Sequence, residues 1–211
     1  MRFVGIDPAT KTGFVALDEL GNVLVETEVI GVGKKMPGGL TTEQLVSLEN
    51  QVYKLLKPGD IIAIEQPAMG TQSGVTTGMI HGGLRSMIYR KGMEYVDVNP
   101  QRTKKYVNVG RVPSNEKKKA MAAAALEHFG YKHPSDNVTD AYIIAKIAEA
   151  VYRVRKGLTT LASYRMYQGE VITSIVNPAA AKKPQHKSNK RPGKPAAAGS
   201  HTHLTEQPFL F

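Results

Sequence analysis

The chain has 211 residues, 41% hydrophobic and 22% charged, the composition of one globular domain with room for an appendage. It contains no cysteine, so disulfide frameworks, cysteine zinc fingers and thiol nucleophiles are excluded. Lys plus Arg outnumber Asp plus Glu by 28 to 18, which points to an acidic partner, nucleic acid first among them.

Residues 2–7 (RFVGID) and 13–17 (GFVAL) read as short strands joined by a polar turn, and 23–30 (VLVETEVI) as a third. Thr41 or Thr42 caps a helix running to about Leu56, with Leu45, Leu48, Val52 and Leu55 at helical spacing, and Pro58-Gly59 stops it. IIAIEQ follows as a buried strand ending at Glu65. A Gly- and Thr-rich loop then leads to a helix near 75–91, and EYVDV (94–98) is a fifth strand. Helices are predicted over 100–108, 115–129 and 137–156. Three strands followed by alternating helix and strand imply an α/β fold, a mixed five-stranded sheet with helices on both faces. Residues 157–177 are a C-terminal extension with one β-like stretch, EVITSIV. From 178 to 211 the composition predicts a disordered basic tail. No apolar stretch approaches the roughly 20 residues that span a bilayer, and no secretory segment follows the N-terminus, so a cytoplasmic location is expected.

The positive charge is concentrated. Residues 85–119 carry ten basic side chains against Glu94, Asp97 and Glu116, a net +7, and residues 182–211 add +5. The rest of the chain is slightly acidic. A basic band within a balanced domain is an electrostatic footprint for a polyanion.

Asp7 and Glu65 each end an apolar strand, and Asp136 and Asp140 open the last long helix four residues apart, on one face. If the two strands are adjacent and parallel, their C-terminal ends meet that helix, and three or four carboxylates gather at a sheet edge. Such a group is self-repelling unless cations neutralise it, and hard oxygen ligands suit Mg²⁺ or Mn²⁺. A pair of such ions is a common device for phosphodiester hydrolysis. Each acid also has a blander use, Asp7 in a turn and Asp136 as a helix N-cap.

GIDPATKTGFVAL, IAIEQPAMG, NPQRTKKYVNVGRVPSNEKKKA and DNVTDAYIIAK, in that order, resemble the four segments of RuvC-type Holliday-junction resolvases, closest in length and loops to bacteriophage members. The resemblance spans about residues 2–156. It implies a ribonuclease H-like fold, a homodimer, two Mg²⁺ or Mn²⁺ ions per active site, and cleavage of four-way DNA junctions. For a phage-encoded member, the location is the host cytoplasm. By the resemblance Asp7, Glu65 and Asp140 are metal ligands, and Lys104 and Lys117 lie near the scissile phosphate, with Lys105 and Lys118 one residue away. The basic band adds Arg85, Arg102, Arg111 and Lys119 as DNA contacts.

Two positions depart from the pattern. The usual partner of Asp140 lies three residues earlier, where this chain has Asn137, so either Asp136 or Asn137 completes the site, with Asp136 favoured because the site needs charge. Pro67, Ala68 and Met69 stand where the family often carries a bulky residue that wedges open the junction. Rival readings are a ribonuclease H-like nuclease for other branched DNA or RNA–DNA hybrid, an actin- or sugar-kinase-like phosphotransferase, and a cleavage-dead junction binder. Finally, Gln207, Leu210 and Phe211 match Gln-x-x-Leu-Phe, which resembles the peptide that bacterial replication proteins dock into the DNA sliding clamp, although Pro208 departs from the usual leucine.

Overall fold

The computed structural model describes residues 1–34, 36–37, 39–67, 74–113 and 115–179. The polar tail with its Gln207, Leu210 and Phe211, and the Ala68–Met69 wedge position, lie outside these residues. Five strands form one sheet: β1 (Arg2–Asp7), β2 (Lys11–Leu17), β3 (Val23–Ile30), β4 (Asp60–Glu65) and β5 (Tyr95–Val98), in the order β3-β2-β1-β4-β5. The first three make an antiparallel meander, whereas β1–β4 and β4–β5 are parallel. Parallel neighbours need crossovers, and α1 (Thr42–Leu55) and α2 (Gly74–Arg90) supply them.

Alternation along the strands sends side chains to two cores. Val4, Ile6, Phe14, Ala16, Ile62 and Ile64 pack under α1 and α2. Phe3, Val15, Leu17 and Ala63 pack on the opposite face, beneath α3 (Pro100–Tyr106), α4 (Lys117–Phe129), α5 (Asp136–Arg155) and α6 (Met166–Val176). Thr41 starts α1 with a capping box, its hydroxyl accepting from Gln44 N–H while Gln44 accepts from Thr41 N–H.

The stretch EVITSIV is helical, contrary to its β-like composition. Val171, Ile172 and Ile175 are buried in the α3–α5 core, and that tertiary burial outweighs a weak local preference. No helix among the described residues is long and apolar enough to cross a membrane.

Candidate active site

The sheet register builds the site. β1 and β4 pair in parallel through Ile6 and Ile64, so the next residues, Asp7 and Glu65, end side by side. Both point to the α5 face. Helix α5 lies unusually close there because Gly5 and Gly13 carry no side chain. A Cβ at Gly5 would stand 2.0 Å from the Ala141 carbonyl oxygen, and one at Gly13 would stand 2.0 Å from that of Asn137. This approach sets the first two turns of α5, and with them Asp140, over the ends of β1 and β2. Ser135 caps the helix, its Oγ accepting from Val138 N–H at 3.3 Å.

Asp7, Glu65 and Asp140 form one interacting group. Burial, followed by the Glu65 charge, holds Asp7 well above the ordinary carboxylate range. Burial and then the Asp140 charge raise Glu65 to about 7. Burial and then the Asp7 charge raise Asp140 to about 8. The protein offsets this only in part. Thr103 Oγ1, almost wholly buried on α3, donates to Glu65 Oε1 at 3.2 Å, and the neighbouring Lys104 charge favours ionised Glu65 and Asp140. Asp140 Oδ1 is buried and has no hydrogen-bond partner among the described residues.

An all-oxygen set of crowded carboxylates with an orphaned buried oxygen fits a hard divalent cation. As they stand, no three acidic or imidazole side chains among the described residues form a preset metal site. Asp136 opens α5, its charge raises both Asp7 and Asp140, and its carboxylate is ion-paired to Lys118 on the first turn of α4. That pairing holds Asp136 below the ordinary range. Asn137 turns elsewhere, its Nδ2 donating to Glu28 Oε1 on β3 at 3.1 Å. Hydrogen bonds from Ser135, first, and Asn137 hold Glu28 below its usual value.

The basic residues divide into two groups. Half-buried Lys104 and exposed Lys118 act electrostatically on the carboxylates, while Lys117 is half-buried and Lys119 and Arg111 are exposed. Lys118, rather than Lys117, makes the ion pair at the site. Three other predicted DNA contacts have partners within the chain. Arg85 donates to Asp97 Oδ1 at 2.7 Å, to the Glu65 carbonyl at 2.8 Å and to His81 Nδ1 at 2.8 Å, tying α2 to β4 and β5. Burial, then the guanidinium, pushes His81 down to about 4, so it accepts as a neutral imidazole. Arg102 donates to the Ser174 carbonyl at 3.2 Å, and Lys105 pairs with Glu170, so both fasten α3 to α6.

Sequence reasoning missed Thr103, Glu28 and the His81–Arg85–Asp97 cluster. Thr103 had a signal, a small hydroxyl residue between Arg102 and Lys104 in the basic band. Glu28 had another, since Glu26 and Glu28 share one face of an otherwise apolar strand.

The fold is a ribonuclease H-like architecture similar to that of RuvC. Two solved structures carry the likeness: RuvC from Thermus thermophilus, and RuvC from the same organism in complex with a Holliday junction substrate. Each superposes with a TM-score of 0.55 at 18% identity over 74% of this chain, covering 97% and 96% of the respective RuvC chains. No protein-family profile matches the sequence, and no curated protein is similar enough in sequence to count as a relative.

Proposed function

We propose that this protein is a metal-dependent, structure-selective DNA endonuclease that cleaves four-way junctions. The observation that carries the reading is the buried, mutually destabilised group Asp7–Glu65–Asp140, with its orphaned Asp140 oxygen, beside Lys104 and Lys118 on a RuvC-like fold. Asp7, Glu65 and Asp140 would hold two Mg²⁺ or Mn²⁺ ions, joined by Asp136 once it leaves Lys118. When bound, such ions supply an activated water and neutralise charge on the leaving 3′ oxygen. The chain's own residues do the rest. Thr103 fixes the Glu65 carboxylate, and Lys104 and Lys118 place positive charge where phosphate must enter. Lys117, Lys119 and Arg111 extend that charge along the backbone path.

A second copy of the chain is part of the proposal, because a four-way junction presents two equivalent strands. Helix α2 is the face we assign to it. Val75 is 81% exposed, and a methyl at Gly74, Gly78 or Gly82 would meet nothing within 4 Å in the same chain. Gln207, Leu210 and Phe211 are proposed as a sliding-clamp peptide held near DNA by the basic tail. Binding of a 203–211 peptide to a bacterial clamp, lost in Leu210→Ala/Phe211→Ala, tests this.

The deciding experiment incubates the full chain with synthetic four-way junction, duplex DNA, RNA–DNA hybrid and ATP, with and without Mg²⁺. Symmetric, Mg²⁺-dependent nicks in the junction alone are expected. Preferential cutting of hybrid would make it a ribonuclease H-like enzyme of another specificity, and ATP turnover without cleavage would make it a phosphotransferase.

A further inference from the structure

The start of α5 is anchored to the edge of the sheet by a carboxylate outside the acidic cluster. Glu28 pairs in register with Gly13, and Gly13 with Asp7, so the three stand in one row across β3, β2 and β1. Oε1 of Glu28 accepts two hydrogen bonds, from Ser135 Oγ at 2.5 Å and from Asn137 Nδ2 at 3.1 Å. These donors flank Asp136 on either side. Two positions back on β3, Glu26 Oε2 accepts from the Tyr131 hydroxyl at 2.6 Å, so the chain entering α5 is held to the strand at a second point. Ser135 is also the N-cap of α5, so Glu28 supports the residue that terminates the helix.

This arrangement commits Asn137. Its amide donates to Glu28 on the edge strand β3, two strands away from Asp7 on β1 and three from Glu65 on β4. It also explains why an amide serves at this position. A carboxylate at 137 would press a second negative charge against Glu28, whose ion-pair partner among the described residues is Lys11, 4.0 Å away.

We infer that Glu28 is a positioning residue: through Ser135 and Asn137 it sets where α5 begins and so which way Asp136 and Asp140 face. A helix turns by about 100° per residue, so a slip of one residue at its start would carry both carboxylates away from Asp7 and Glu65. The activity half of the test rests on the nuclease reading above, while the stability half does not.

The stability half compares urea denaturation of the metal-free full chain near neutral pH for wild type, Asn137→Asp, Glu28→Gln and the double variant. Asn137→Asp should shift the folding equilibrium about tenfold toward the unfolded state, and adding Glu28→Gln should recover most of that loss. Additive effects would overturn the pairing. The activity half titrates Mn²⁺ against junction cleavage. Glu28→Ala should lower kcat about tenfold and raise the Mn²⁺ midpoint, while junction affinity in EDTA stays within about twofold of wild type. Glu28→Gln, whose amide oxygen still accepts both bonds, should keep kcat within about threefold. Glu28→Ala with an unchanged rate and midpoint would overturn the positioning role. If the wild type cuts no branched DNA, the nuclease reading fails while the denaturation cycle still decides the anchor.

Discussion

At the N-terminal ends of β1 and β4, Asp60 is buried against Arg2. The guanidinium reaches both carboxylate oxygens at 2.8 and 2.6 Å, the Lys57 N–H adds 2.8 Å, and a spare Arg2 N–H reaches the Leu55 carbonyl at 2.9 Å. At the C-terminal ends of the same strands, Asp7 and Glu65 meet Asp140, and among the described residues the Thr103 hydroxyl donates to that group from outside it. Burial is similar at the two ends, yet one carboxylate is saturated from within the chain while three others are left short of positive charge. The first arrangement holds the strands together. The second leaves mutually repelling buried carboxylates without such saturation, at a cost to stability, which is the electrostatic pattern of a candidate functional site.

The sharpest way to break this contrast is to neutralise acids at each end. Asp7→Asn and Glu65→Gln should each reduce junction cleavage by more than about a thousandfold while keeping or tightening binding, because a charge that repels phosphate is removed. Gel-shift and cleavage assays on one junction would show this. Parallel loss of binding would instead mark the acids as structural. At the other end, Asp60→Ala should leave Arg2 buried and unpaired and cost about 3–5 kcal/mol in denaturant titrations, with no specific loss of rate in the molecules that remain folded.

The same contrast has a pH signature. From the ordinary carboxylate pKa of about 4 up to about 7 for Glu65 and 8 for Asp140, the folded chain keeps protons that the unfolded chain has released. Stability in EDTA should therefore fall as pH rises across that window and level off above it. Asp140→Asn should flatten the slope, and Mg²⁺ should oppose it. A flat profile in the wild type would mean these acids are better solvated than their burial implies. The smallest expected effect separates neighbours on α5. Asp136→Asn should lower the rate at least about tenfold under saturating Mn²⁺ with little change in stability, since its partner Lys118 is exposed. Asn137→Ala should stay within about threefold, and the reverse order would return the ligand role to Asn137.

Much of the scaffold was legible in the residues. RFVGID and IIAIEQ announce buried strands that end on an acid, and the spacing of Leu45, Leu48, Val52 and Leu55 announces α1. Periodicity reads the direction of side chains relative to their own element, and there it serves well. It does not read the partner. EVITSIV became a helix because α3 and α5 offered its apolar residues a surface. Net charge likewise does not reveal that Asp97, Ser174 and Glu170 stand beside Arg85, Arg102 and Lys105.

What the sequence by itself determined is the set of elements and the presence of acids at the ends of two apolar strands and one helix, since hydrophobic period and strand length are local properties. What only the tertiary structure decided is which acids meet and which lysine faces them. Adjacent helical residues point about 100° apart, so Lys117 and Lys118, or Asp136 and Asn137, are interchangeable on paper and distinct in space. Their placement follows from the close seating of α5 on Gly5 and Gly13 and from the hydrogen bonds to Glu28, contacts between residues more than 100 positions apart.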